Sequence, residues 1–140
     1  GCEIATEHDG ITASGRYLRA ADVDMGDMPD MVPTLAVVAA FAEGTTIIRN
    51  VSHLKAKESD RLAAVVNELV KMGIDARCRA DELIVTGGNP RGAEIDTYGD
   101  HRIAMSFAVA GLATPKTFIR DENCVAKSFP DFWDRFTTLY

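Results

Sequence analysis

The chain has 140 residues, 46% hydrophobic and 26% charged, enough for one domain with a real core and ordinary for a globular protein. Its formal net charge of −6 argues against non-specific nucleic-acid binding, while leaving room for a small anion held by local cations. Cys2, Cys78 and Cys124 are widely spaced without a CxxC pair, which argues against a zinc site or disulfide framework and fits a reducing compartment. The longest apolar run, Leu35 to Ala42, is too short to cross a membrane. There is no signal peptide, and the start at Gly1 rather than Met suggests part of a longer gene product.

Cys2 to Thr6 and Ile11 to Ser14 alternate as two short strands around a His8-Asp9-Gly10 turn. Asp22 to Met25 follows as a short strand or loop. Pro29 turns the chain away from helix, and Asp30 is placed to cap the next element. Val32 to Ala42 predicts a small-residue apolar helix, with Pro33 tolerated in its first turn and Gly44 ending it. Thr45 to Asn50 is a β-branched strand. Leu62, Val65, Val66, Leu69, Val70 and Met72 then recur at helical spacing up to Gly73.

Beyond Gly73 the pattern returns. Asp81 matches Asp9, Leu83 matches Ile11, Gly87 matches Gly15, Ile95 matches Val23 and Ala108 matches Ala36, each pair 72 positions apart. Thr117 and Ile119 match Thr46 and Ile48 after a one-residue slip, and Lys127 matches Lys57 after a second. An offset held this long is a repeat signal. Each unit reads helix, strand, helix and a two-strand hairpin after an opening loop or strand, which argues for α/β architecture. The expected division is a trailing hairpin of a preceding unit over 1–15, a complete unit over 16–87 and most of a further unit over 88–140, ending in a helix from Phe129 to Tyr140.

Lys57-Glu58-Ser59-Asp60-Arg61 opens the second helix of the complete unit. Residues of these types favour a helix N-terminus, and Lys57, Glu58 and Arg61 would share a face there, at an end suited to an anion. Alone, the stretch is a solvated helix start with one ion pair. The repeat changes the weighing. Asp30 and Arg102 precede the first helices of the two units, and Lys57 and Lys127 precede the second helices. Equivalent ends of a repeat lie on one side, so Asp30, Lys57, Glu58, Arg61, Asp100, His101, Arg102 and Lys127 are expected on one surface. Cations for an anionic substrate would stand there beside carboxylates for proton transfer.

Four segments in this order, Met28-Pro29-Asp30, Lys57 to Leu62, Asp100 to Met105 and Ala126 to Pro130, resemble the 5-enolpyruvylshikimate-3-phosphate synthase family. KESDR with DHRxAM is highly specific, and the resemblance covers essentially the whole chain. It implies an incomplete domain of the enolpyruvyl transferase fold, an inside-out α/β barrel of repeated βαβαββ units. It implies a C-terminal part of the sequence that carries one wall of a cleft, with the missing remainder of the chain as its partner. The implied reaction joins phosphoenolpyruvate to the 5-hydroxyl of shikimate 3-phosphate and releases phosphate, in aromatic amino-acid biosynthesis. No metal and no cofactor is implied, and neither nucleic acid nor membrane is a partner. The implied setting is the bacterial cytoplasm, with a plastid enzyme or one segment of a multifunctional chain left open.

By this resemblance Asp30 and Glu58 are catalytic: Asp30 as base for the attacking hydroxyl, Glu58 as acid for the methylene carbon. Arg61, Asp100, His101, Arg102 and Lys127 bind phosphoenolpyruvate. Asp30, His53 and Lys57 bind shikimate 3-phosphate. His53 stands where the family often has Asn or Ser; it could donate a hydrogen bond or simply face water. Asp100 could instead orient Arg102 or cap the helix. His8 is expected exposed, and Trp133 with Phe136 in the core. Cys124 lies close enough to Lys127 for its pKa to be lowered. Asp22, Asp24 and Asp27 lack the Gly and terminal Glu of a calcium loop. Two other readings stand beside this one: the sister UDP-N-acetylglucosamine enolpyruvyl transferase, against which DHRxAM weighs, and a non-catalytic α/β repeat module binding anions or proteins. The fragment is expected to be inactive alone.

Overall fold

A computed structural model describes residues 1–15 and 17–139. Arg16, which opens the unit expected over 16–87, and Tyr140, the expected end of the last helix, lie outside the described residues. The chain begins with a hairpin, β1 (Glu3–Glu7) and β2 (Gly10–Ser14), whose residues are all exposed, His8 in its turn included. Next come β3 (Asp22–Asp24), α1 (Val32–Ala40), β4 (Thr45–Arg49), α2 (Arg61–Lys71), β5 (Asp75–Arg79) and β6 (Glu82–Thr86). A second β7 (Glu94–Ile95), α3 (His101–Gly111), β8 (Phe118–Ile119), α4 (Phe132–Phe136) run follows. The fold is mixed α/β, with one βαβαββ unit between β3 and β6.

The strands of that unit form one sheet in the order β3-β4-β6-β5. β3 runs parallel to β4, and β6 is antiparallel to both β4 and β5. Ile48, Leu83 and Val85 point from it into a core completed by Leu62, Val65 and Leu69 of α2. Leu62, Val65, Leu69 and Met72 of the α2 stripe are buried as its periodicity predicts, whereas Val66 is half-buried and Val70 is exposed. The helix closes in a Schellman motif: Gly73, at φ +83°, donates to the Val70 carbonyl, and Ile74 N donates to the Leu69 carbonyl.

The 72-residue register is visible in three dimensions. β1 and β2 lie 72 positions before β5 and β6 at both ends. α1 packs on α3, and the equivalent residues Thr34 and Ser106 meet hydroxyl to hydroxyl at 3.0 Å. Asn50 and Asp121, which follow β4 and β8, both take left-handed φ values, 59° and 48°. These are residue types that tolerate that conformation.

Several local expectations are corrected. α1 ends at Ala40 rather than Ala42, and its N-cap is Met31 with no side-chain cap, so Asp30 does not cap it. A 3-10 turn over Pro29–Met31 intervenes and turns the Asp30 carboxylate elsewhere. α2 starts at Arg61; Lys57 follows a 3-10 helix over Ser52–Ala56 in extended conformation. Phe129 is not helical, because Pro130 disfavours helix in the residue before it. The last helix is five residues followed by a 3-10 turn over Thr137–Leu139. Trp133 and Phe136 are half-buried rather than core. They form an aromatic satellite with Phe132, in which Trp133 Nε1 donates to the Glu122 carbonyl at 2.9 Å. No helix among the described residues is long and apolar enough to cross a membrane.

Candidate active site

Arg61 is the centre of a charged cluster at the end of the molecule where α2 and α3 begin. Its side chain is 2% exposed, yet it is the first residue of α2, placed there because Asp60 caps the helix by accepting from Ala63 N at 3.0 Å. Arg61 Nε donates to Asp100 at 2.7 Å, Nη1 to Asp30 at 2.8 Å and Nη2 to Glu58 at 2.9 Å. One buried guanidinium thus gathers three carboxylates from three separate stretches of chain. Arg102 Nη2 donates to the other Asp30 oxygen at 3.1 Å, and Lys127 Nζ stands 3.7 Å from Glu58. Asp30 and Arg102 are 72 residues apart, so the repeat itself brings them face to face.

Asp100 does two jobs from a fully buried position. It caps α3 by accepting from Arg102 N at 2.9 Å, and it holds Arg61 while accepting from Ser59 Oγ at 3.1 Å. Asp100 thus caps the helix and orients Arg61 at once. Burial pushes its carboxyl upward, but Arg61, the Arg102 N–H and the Ser59 hydroxyl outweigh it and hold it below the usual range. The hydrogen bond from Arg61, aided by the charges of Arg102 and Lys57, depresses Asp30. Glu58 is held low by its own backbone N–H, then by Arg61 and Lys127. All three carboxylates are ionised at neutral pH. Burial works against the Arg61 charge, and the three carboxylates more than offset it.

The expected residues do not all join the cluster. Asp30, Glu58, Arg61, Asp100, Arg102 and Lys127 are linked by ion pairs of 3.7 Å or less. Lys57 is exposed and acts on Asp30 through its charge. His101 is 7% exposed, beside Asp100 in the chain, and its Nδ1 has no hydrogen-bond partner. Arg102 Nε is likewise buried without a partner. His53 is exposed on the 3-10 helix and has Asp81 as its charged neighbour. Cys124 departs from expectation: burial pushes its thiol up, so Lys127 does not activate it. A groove of about 520 Å³ lies elsewhere, at the other end of α3, lined by Ala108, Leu112, Phe118 and Trp133, and takes no residue of the cluster.

Sequence patterning does not reveal the partners of a second network, two turns further along α2. Glu68 is fully buried and accepts from Tyr98 Oη and Lys71 Nζ, both at 2.8 Å, and from Asp96 N at 3.1 Å. Its signal is a carboxylate on the apolar stripe, between Val65 and Leu69. Tyr98 and Gly99 are both left-handed, at φ 56° and 66°, in a turn closed by Asp100 N donating to the Thr97 carbonyl at 2.9 Å. For an aromatic residue such backbone costs of order 1 kcal/mol or more.

The family described as EPSP synthase (3-phosphoshikimate 1-carboxyvinyltransferase) matches residues 1–136. The chain is 51% identical to the 3-phosphoshikimate 1-carboxyvinyltransferase of Syntrophobacter fumaroxidans, over 99% of this chain and 34% of that protein. It is 45% identical to that of Nostoc punctiforme, over 97% and 32%. Among solved structures, EPSP synthase of Acinetobacter baumannii superposes with a TM-score of 0.80 at 33% identity, covering 99% of this chain and 35% of that one. The enolpyruvyl transferase NikO of Streptomyces tendae gives 0.79 at 26% identity, over 99% and 32%. The chain thus spans about a third of the length of the relatives it matches. With that span, and with the charged cluster built on KESDR and DHRxAM, the chain belongs to the EPSP synthase family.

Proposed function

We propose that this chain forms one wall of an active site that transfers the enolpyruvyl group of phosphoenolpyruvate to the 5-hydroxyl of shikimate 3-phosphate. The observation that carries the proposal is the clustering of Asp30, Glu58, Arg61, Arg102 and Lys127, with two ionised carboxylates among three cations. Phosphoenolpyruvate brings a carboxylate and a phosphate, and both require fixed cations. Arg102, 34% exposed, and Lys127, 66% exposed, are the cations assigned to them. Arg61 is already committed to three carboxylates, so it meets the substrate carboxylate by exchanging it for Glu58 or Asp30. Lys57 and His53 are assigned to shikimate 3-phosphate.

The exchange also explains how a depressed Glu58 becomes an acid. An arriving anion takes Arg61 and Lys127 away from Glu58 and adds like charge, and both effects raise its pKa. In the addition, the 5-hydroxyl oxygen bonds to C2 of phosphoenolpyruvate, its proton passes to Asp30, and Glu58 delivers a proton to C3. In the elimination the methyl carbon returns a proton to Glu58, the C2–O bond to phosphate breaks, and the proton on Asp30 leaves with phosphate. Atoms and charge balance, and the two carboxylates end as they began.

The remaining two-thirds of a relative's length would complete the cleft, and the 140-residue chain alone is proposed to be inactive. The described units are taken as a trailing hairpin over 1–15, a complete unit over 16–87 and part of another over 88–140. A cytoplasmic setting is supported by three cysteines that remain free thiols, two of them exposed. The test is a chimera in which this chain replaces the matching third of the Syntrophobacter fumaroxidans relative. Turnover of phosphoenolpyruvate and shikimate 3-phosphate is expected. A folded chimera that binds neither substrate would overturn the proposal.

A further inference from the structure

We propose that Tyr98 and Glu68 are positioning residues that hold the turn delivering Asp100 and Arg102 to the anion-binding cluster, an inference that rests on the transferase reading of that cluster. The turn over 97–100 carries two successive left-handed residues. Gly99 adopts that conformation at no steric cost, but Tyr98 does not. Something outside the turn must hold it, and the Tyr98 hydroxyl supplies the link by donating to Glu68 at 2.8 Å. Glu68 is fully buried and also takes Asp96 N at 3.1 Å, so it grips the chain on both sides of Thr97. Lys71 locks the same corner, with Nζ at 2.8 Å from Glu68 and 2.6 Å from Asp96.

The consequence lies two residues further on. Asp100 meets Arg61 at 2.7 Å and caps the helix whose first turn carries Arg102. Arg61 and Glu68 are seven residues apart on α2, two turns along one face. One helix therefore holds the segment at two points, Arg61 to Asp100 at its start and Glu68 to Tyr98 two turns on. Release of the second point lets the turn relax toward ordinary φ values, which rotates Asp100 and Arg102 away from Arg61 and Asp30.

Tyr98→Phe removes the hydroxyl and keeps the ring. In the chimera, KM for phosphoenolpyruvate is expected to rise about tenfold, while KM for shikimate 3-phosphate stays near its starting value. Glu68→Gln should act in the same direction, and the double variant should fall short of the sum of the two effects. A structural tie alone would lower all parameters together with the folded fraction, and that result would overturn the proposal, as would an unchanged KM for phosphoenolpyruvate. A ligand-free measurement separates this inference from the function itself. The Nε–H resonances of Arg61 and Arg102 should shift in Tyr98→Phe even where the parent chimera shows no turnover. If both resonances stay in place, Tyr98 positions nothing.

Discussion

α2 carries two buried ions of opposite sign on one face, and their surroundings differ in kind. Glu68 accepts from Tyr98, Lys71 and a backbone N–H, all supplied by the chain. Arg61 is as deeply buried, but the carboxylates it gathers lead outward to Arg102 and Lys127, and the buried Arg102 Nε has no partner. Buried charge therefore does not itself mark a place of chemistry; a native interior satisfies its polar groups, and unmet ones need a reason. The cluster around Arg61 has polar groups to offer a ligand. Glu68 itself is enclosed with its bonds filled by its own chain, and its effect on a ligand runs through the backbone turn it holds.

The difference is most exposed to test at Glu58. It is 35% exposed and belongs to the outward network, so Glu58→Gln in the chimera should cost about 10³-fold in kcat, while the melting temperature barely moves. A kcat within threefold of the parent would leave a non-catalytic anion-binding module as the better description. Asp100 is the opposite case. Asp100→Asn leaves Arg61 buried beside a neutral amide, and urea denaturation of this chain should show a loss of about 3 kcal/mol. A smaller effect is expected at Lys127, which is 66% exposed and 3.7 Å from Glu58. Lys127→Met should raise KM for phosphoenolpyruvate about tenfold and leave stability unchanged. The ratio between parent and variant should shrink as salt is added.

Much of this comparison could be read from residue order, and the part that could not has physical causes. The 72-residue register puts Asp30 and Arg102 on one surface, because a repeat sets equivalent helix ends side by side. It also paired the hairpins residue for residue. Residue type alone could not show that Arg61 is enclosed: arginine is usually exposed, and its burial depends on two carboxylates, Asp30 and Asp100, arriving from distant positions to join Glu58. Residue types leave the start of α2 open, since Glu58, Ser59 and Asp60 are all plausible caps and only geometry selects Asp60. The left-handed backbone of Tyr98 gives no sequence signal, because an aromatic residue is not expected there.

The smallest effect is the pH dependence of the Arg61 cluster. Asp30, Glu58 and Asp100 are all held below the usual carboxylate range in the folded chain. Each therefore binds fewer protons folded than unfolded when the pH enters that range. The stability they contribute is complete above the unfolded value, about pH 4, and is lost as the pH falls through their depressed values. Asp100 should dominate, because it is fully buried against Arg61, whereas Asp30 and Glu58 are 48% and 35% exposed and screened by water. The urea midpoint of the chain should stay level from about pH 8 down to about pH 5 and drop below about pH 4. Asp100→Asn should lower the whole curve and flatten that acid limb, whereas Glu58→Gln should leave most of it. An acid limb that survives intact in Asp100→Asn would mean that the Arg61 cluster does not govern acid stability, and the contrast between the two buried ions would then rest on ligand binding alone.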